Sequence, residues 1–254
     1  LEKAAERAGQ IIAGEGGDPE VRILALEVAG AIGSKDAIAS LERLALSEDI
    51  GAAVDAVRAL FVIGRDPAGE SLKQGLRSPD RQVKGLSASL AGLIAIETLR
   101  DEVFELVKDP APEVFAGAAI GSGLYRDERA IPYLLRALNT TSDAKAGAAV
   151  FALTSIEGPE VRREIATRVQ TATGSEWYNA VTVLYMLGDP KGGELIKGEL
   201  RESSPYAIQT ALLLADDDFW DANVYLRNYL EGSDDTSVEA YEKRIEVAAL
   251  LFSK

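Results

Sequence analysis

The sequence predicts an all-α chain, a right-handed α-α superhelix (solenoid) of about eight helix pairs on a 31-residue period, because two rows of residues repeat at that step. Stepping by 31 from Ala25 meets Ala56, Ser87, Ala118, Ala149, Ala180 and Ala211, all of them small. A second row, Leu41, Leu72, Val103, Leu134, Ile165 and Ile196, is aliphatic throughout, and Leu226 continues it with a one-residue slip. Small residues recur where helices approach closely, and aliphatics recur where each unit fills the gap to the next. A third observation excludes a sheet: no segment sustains apolar alternation with a period of two.

Inside each unit the apolar spacing is helical. Val21, Leu24/Ala25, Val28/Ala29 and Ile32 follow the i, i+3/i+4, i+7 pattern, and Ile38, Leu41 and Leu44/Ala45 resume it after a break at Gly33-Ser34-Lys35-Asp36. Two short helices per period follow. Their boundaries are marked by Asp18-Pro19, Asp66-Pro67, Ser78-Pro79, Asp109-Pro110, Gly158-Pro159, Asp189-Pro190 and Ser204-Pro205, where a capping or turn residue precedes a proline suited to the first helical turn. Of the nine prolines only Pro132 falls inside a predicted helix.

Charge and composition narrow the function. In 254 residues, 27 Lys+Arg against 41 Asp+Glu leave a net charge of −14. Such a chain repels a phosphate backbone, and no basic stripe overrides the average, so nucleic acid is not an expected partner. The absence of Cys removes disulfides, thiolate metal sites and Cys nucleophiles; the absence of His removes the commonest general base and metal ligand. No run approaches the length of apolar sequence that spans a bilayer, so membrane insertion is not expected. Lack of Cys fits a reducing or an oxidising compartment, with the cytoplasm as the expectation and an exported domain as the alternative. Leu1 in place of Met reads as a processed or trimmed start, compatible with a module of a larger protein.

The stretch Asp18-Pro19-Glu20-Val21-Arg22, then Ala25, Ala29, Ile32-Gly33, Asp36-Ala37-Ile38, Leu41 and Leu44 resembles the short HEAT-like repeat of the phycobilisome-lyase type, and the resemblance covers nearly the whole chain. It implies a single solenoid domain over residues 1–254, with helix A preceding helix B in each pair, A helices outside and B helices lining the concave side. On that phasing Leu1–Ile12 is the first A helix, Asp127–Leu138 is an A helix with an internal Pro132, and a B helix near Ser237–Phe252 ends the array. The family's Val-Arg pair stands at Val21-Arg22, becomes Val83-Lys84 and Val114-Phe115, and is replaced by Ala52-Ala53 and Lys145-Ala146. Among HEAT-like enzymes, the deoxyhypusine hydroxylases depend on His ligands and the alkylpurine glycosylases on a basic groove, and neither feature is present.

No catalytic, metal or cofactor constellation emerges. The glycine clusters Gly14-Glu15-Gly16-Gly17, Gly121-Ser122-Gly123 and Gly192-Gly193 lack the Lys-Ser/Thr of a phosphate loop and read as turns or close helix contacts. Asp216-Asp217-Asp218 before Phe219-Trp220 reads as helix capping. Glu102 and Glu105, at i, i+3, read as a solvated face.

What remains is the expected concave lining. Positions matching Ile23, Leu24, Glu27 and Ala31 at each 31-residue step number 28, of which Glu27, Asp55, Arg58 and Asp217 are charged; four of 28 is 14%, against 27% for the chain. Leu24, Glu27, Asp55, Arg58, Leu86, Leu93, Ile120, Leu124, Phe151, Tyr178, Asn179, Thr182 and Met186 are the partner-binding candidates. Two readings stand: Gly85, Gly117 and Gly147 let neighbouring B helices close up and the positions are core, or an apolar face is left for a protein partner. The resemblance adds a bilin-lyase-like alternative in which the lining holds a tetrapyrrole and Arg58 a propionate. Aromatics crowd the C-terminal half, including Tyr178, Tyr185, Tyr206, Phe219, Trp220, Tyr225, Tyr229 and Tyr241; they either fill wider gaps in the core or anchor a partner. The expected function is a non-enzymatic protein-interaction scaffold.

Overall fold

In the computed structural model the described residues are 65–200, 204–216 and 220–232, with isolated positions at 11, 21, 25, 28, 41–46, 53, 54, 56, 57, 59 and 60. The first A helix, the B helix near Ser237–Phe252, and Asp217 to Phe219 lie outside them. All described elements are helices: α1 (Arg65–Leu76), α2 (Arg81–Leu93), α3 (Arg100–Leu106), α4 (Pro112–Leu124), α5 (Ile131–Ala137), α6 (Asp143–Ile156), α7 (Gly158–Thr171), α8 (Gly174–Met186), α9 (Pro190–Gly198), α10 (Ala207–Asp216) and α11 (Trp220–Gly232). Odd-numbered members are the A helices and even-numbered ones the B helices, and α2, α4, α6 and α8 begin 31 residues apart. The architecture is an all-α solenoid of helix pairs. The chain divides into two compact units, Leu1–Glu164 and Ile165–Lys254.

Both predicted rows lie in the interior. Ala25, Ala56, Ser87, Ala118, Ala149, Ala180 and Ala211 are at most 4% exposed, and Leu41, Leu72, Val103, Leu134, Ile165, Ile196 and Leu226 at most 1%. The period is therefore the period of burial: each pair contributes one small residue where helices meet and one aliphatic that fills the layer.

Capping explains where the helices start. Asp80 accepts from the amides of Gln82 and Val83 at 2.8 and 3.0 Å, closing α2, and Asp189 accepts from Lys191 at 2.9 Å ahead of Pro190. Asp109 instead closes a turn, accepting from Ala111 at 2.9 Å, so α4 begins two residues after Pro110, with Pro112 in its first turn. Pro132 is not internal to a helix. Residues Glu128–Ala130 form a separate 3-10 turn capped by Asp127, and Pro132 sits in the first turn of α5, where its missing N–H has no bond to lose.

The ends of the B helices share a third 31-residue row. Ala95, Arg126, Glu157 and Gly188 all have φ between 52° and 74°, the left-handed conformation that reverses the chain. Beside it, Ile96, Asp127 and Asp189 donate back to Ala91, Ser122 and Leu184 at 3.0, 2.9 and 3.1 Å, closing the last turn of each helix.

In unit 1, α2, α4 and α6 touch backbone to backbone. A Cβ on Gly117 would collide with the Gly85 carbonyl, one on Gly92 would lie 2.5 Å from the Gly121 carbonyl oxygen, and one on Gly123 would lie 2.7 Å from the Ala152 Cα. The Gly121-Ser122-Gly123 cluster is thus a close helix contact on both sides of α4. Gly147 differs from Gly85 and Gly117: a Cβ there meets nothing within 4 Å, so it marks no close approach.

A buried polar knot ties the second and third pairs together. The Tyr125 hydroxyl lies 2.7 Å from the carbonyls of both Ala91 and Ile96, and Arg100 donates to the Tyr125 carbonyl at 3.1 Å. Burial, aided by Glu97, pushes the Tyr125 phenol far above its ordinary value, so the hydroxyl remains a donor. Asp127, almost fully buried, accepts from Arg129 at 2.7 Å and faces Arg100 at 3.5 Å. Burial alone would raise its carboxyl; the hydrogen bonds from the Arg129 side chain and amide, with the charges of Arg129 and Arg100, outweigh burial and hold it below the ordinary carboxylate value.

In unit 2 the core is built from Tyr178, Val181, Ile196, Ala211, Leu214 and Leu226, with Trp177, Tyr185, Tyr206, Tyr225 and Tyr229 packed against it. These aromatics pack in or against that core, while Phe219 and Tyr241 lie outside the described residues. Gly192 again serves a close contact, its missing Cβ lying 2.5 Å from the Tyr185 amide nitrogen.

Two outcomes follow for stability. Gly117→Ala should cost about 1–3 kcal/mol, because backbone must move, whereas Gly147→Ala should gain up to about 1 kcal/mol from helix propensity; urea titration measures both. Asp127→Asn should lower stability at pH 7 by about 1–3 kcal/mol. Since the folded carboxyl is depressed, its contribution is complete above the ordinary carboxylate range and fades as pH falls through it. The gap between wild type and variant should therefore narrow as pH falls below the free-Asp value toward the depressed folded one, as read by denaturation at several pH values.

Candidate functional site

The described lining positions divide by register. In unit 1 the positions next to the helix contacts are packed: Gly85, Gly117 and Ala148 are buried between neighbouring B helices. The positions three to seven residues further along point away from those contacts. Leu93 is 54% exposed, Leu124 36% and Phe151 38%, with Leu86, Ser89, Ile120 and Ser155 half-buried beside them. One part of the lining is packed and another part is exposed.

Local geometry makes this stripe more apolar than its composition. Ser89 donates to the Leu86 carbonyl at 2.8 Å, and Ser155 donates to the Phe151 carbonyl at 2.9 Å. Both hydroxyls are spent on their own helix, so carbon is what they offer to solvent. No charged side chain belongs to the stripe among the described residues, although the chain carries 27% charge. Leu93, Leu124 and Ser155 occupy one register position on α2, α4 and α6, and Ser89, Ile120 and Phe151 another. The result is a ladder across three adjacent helices.

Unit 2 holds the remaining candidates. Met186 is 44% exposed, and Asn179 and Thr182 are half-buried, with the Thr182 hydroxyl donating to the Tyr178 carbonyl at 2.9 Å. Tyr178 does not line a surface. It is 8% exposed, stacks on Tyr206 with ring centroids 4.4 Å apart, and its hydroxyl accepts from Thr210 at 3.2 Å. Burial first of all pushes its phenol up. Leu24, Glu27, Asp55 and Arg58 lie outside the described residues.

The acidic pairs have ordinary partners. Glu102 meets Arg77 at 3.2 Å and Glu105 meets Lys108 at 2.6 Å. No described helix is long and apolar enough to cross a membrane.

A family model of HEAT repeats matches residues 69–154. These residues are HEAT-like repeats. The matched stretch contains α2, α4 and all but the last two residues of α6, and with them every rung of the exposed ladder of unit 1 except Ser155. No curated protein matches the HEAT-like chain. Among solved structures, it is similar to human deoxyhypusine hydroxylase in complex with glycerol, at 16% identity over 100% of this chain and 97% of that one, with a TM-score of 0.38. It is also similar to the complex of CpcE and CpcF of phycocyanin lyase from Nostoc sp. PCC7120, at 17% identity over 98% and 94%, with a TM-score of 0.45. An engineered protein is similar at 20% identity over 98% and 78%, with a TM-score of 0.40.

If the ladder is surface and not core, polar substitution there should be cheap. Leu93→Ser and Phe151→Ser should each shift stability by under about 1 kcal/mol, while Leu153→Ala, fully buried on the opposite side of α6, should cost about 2–5 kcal/mol. Denaturant midpoints of the three variants check the assignment.

Proposed function

We propose that this HEAT-like repeat protein is a non-enzymatic interaction scaffold that holds a protein partner on the exposed stripe of its B helices. The observation that carries the reading is the ladder of Leu93, Leu124 and Phe151, each more than a third exposed, with the intervening hydroxyls bonded inward. Contiguous apolar surface of this kind is costly to leave in water and marks docking sites. Burying an aliphatic or aromatic side chain is worth about 1.5–3 kcal/mol in full, so the exposed portions of this ladder supply several kcal/mol toward association. Repeat arrays suit such a task, because neighbouring helices present equivalent positions at regular spacing.

A partner fitting this stripe offers a complementary apolar face and no charge at its centre, since an unpaired carboxylate or ammonium buried against leucine and phenylalanine is strongly disfavoured. An amphipathic helix meets that requirement with side chains spaced at i, i+4, i+7.

The test is affinity capture from the native source with wild type and with the Leu93→Asp, Phe151→Asp double variant, read by mass spectrometry. The variant should keep the helical dichroism of wild type and lose the proteins that wild type retains. Equal capture by both would remove the stripe from consideration, and loss of helicity in the variant would show that these side chains belong to the core.

A further inference from the structure

On the edge of unit 1 where the chain enters its B helices, a cleft of about 470 Å³ is lined by Lys108, Phe115, Tyr133, Arg136, Asn139 and Lys145, among other residues. None of the lining side chains is acidic, in a chain with 41 carboxylates and a net charge of −14. Three cations converge there, each over an aromatic ring. The Lys108 ammonium lies 4.6 Å from the centroid of Phe104, the Arg136 guanidinium 4.7 Å from Tyr133 and the Lys145 ammonium 5.2 Å from Phe115. Phe104 and Tyr133 in turn meet edge to face at 6.2 Å.

Of the three cations, Arg136 and Lys145 are held but not neutralised. Lys108 is paired with Glu105, which stands outside the lining. Arg136 uses only its Nε–H, donating to the Pro132 carbonyl at 3.2 Å, and Lys145 donates to the Pro110 carbonyl at 2.8 Å. Among the described residues neither meets a carboxylate. The two Nη groups of Arg136 keep the fork that binds a carboxylate through two parallel hydrogen bonds, and Lys145 retains further protons for a second acceptor. Ring stacking and the carbonyl contacts fix both side chains in place before any ligand arrives, which limits the ordering cost of binding.

We propose that this cleft binds a carboxylate-bearing acidic peptide segment, with Arg136 and Lys145 as its charge-reading residues, held from behind by the rings of Tyr133 and Phe115. The carboxylate is favoured over larger polyanions by long-range electrostatics: an overall charge of −14 repels a phosphate chain, while a few carboxylates in a short segment feel mainly the local cations at separations below the Debye length. The site is independent of the apolar ladder, since it lies at the N-terminal ends of α4 and α6, whereas Leu93 and Leu124 close the C-terminal ends of α2 and α4.

The experiment is fluorescence anisotropy with the full chain and a fluorescein-labelled hexaglutamate peptide at low salt, with labelled hexaglutamine as the neutral control. Saturable binding of hexaglutamate only is expected, weakened at least tenfold by Arg136→Gln plus Lys145→Gln and largely restored by Arg136→Lys plus Lys145→Arg. Melting temperatures of both variants guard against misfolding, and Lys84→Gln, a cation outside the cleft, should leave binding within twofold of wild type. The proposal is overturned by absence of saturable binding, by equal binding of hexaglutamine, or by a double glutamine variant that binds as well as wild type. It is also overturned if inorganic phosphate displaces the peptide at concentrations where acetate does not, which would assign the cleft to phosphate groups.

Discussion

Backbone contact between neighbouring B helices is the constraint from which the rest of unit 1 follows. Where Gly117 meets Gly85 and Gly121 meets Gly92, no space remains for side chains between the helices. The larger apolar residues of the same helices must then go elsewhere. Some, such as Val114 and Leu153, are buried, and others, Leu93, Leu124 and Phe151, are left in water. Close approach thus creates the core and the exposed ladder together. A helix array spaced more widely would have folded these residues into its interhelical layer.

The same economy explains the contrast between the two kinds of surface in unit 1. On the ladder, Ser89 and Ser155 turn their hydroxyls to carbonyls one turn earlier, and the surface becomes carbon. At the entrance to the B helices, aromatic rings hold ammonium and guanidinium groups, and the surface becomes a fixed array of positive charge. One face removes polarity by local hydrogen bonding; the other concentrates it through ring stacking. In unit 2 the aromatics have a third use, as filler, with Tyr178 and Tyr206 stacked inside the core.

Much of this was legible in the sequence because burial repeats with the chain. The rows through Ala118 and Leu134 named fourteen interior positions without reference to any contact, and the Asp-Pro and Ser-Pro pairs lie near five of the eleven described helix starts. The left-handed row at Ala95, Arg126, Glu157 and Gly188 was not legible, since glycine, the residue that announces such a turn, occupies only one of those four positions. Pro132 was misplaced for a related reason. A 3-10 turn capped by Asp127 absorbs the residues before it, and local apolar spacing does not distinguish that turn from a continuous helix. The cation-aromatic cleft was invisible because Phe115, Tyr133, Arg136 and Lys145 come from three helices and share no motif.

The sequence by itself determined the helical period, the order of helices and the identity of the buried rows, since these depend on spacing along one chain. Tertiary structure decided which apolar residues face water, why Gly147 differs from Gly85 and Gly117, and where Tyr178 goes. Each of those outcomes depends on the distance between two helix backbones. That distance is fixed by whether small residues on both partners coincide, a pairwise condition that no single segment contains.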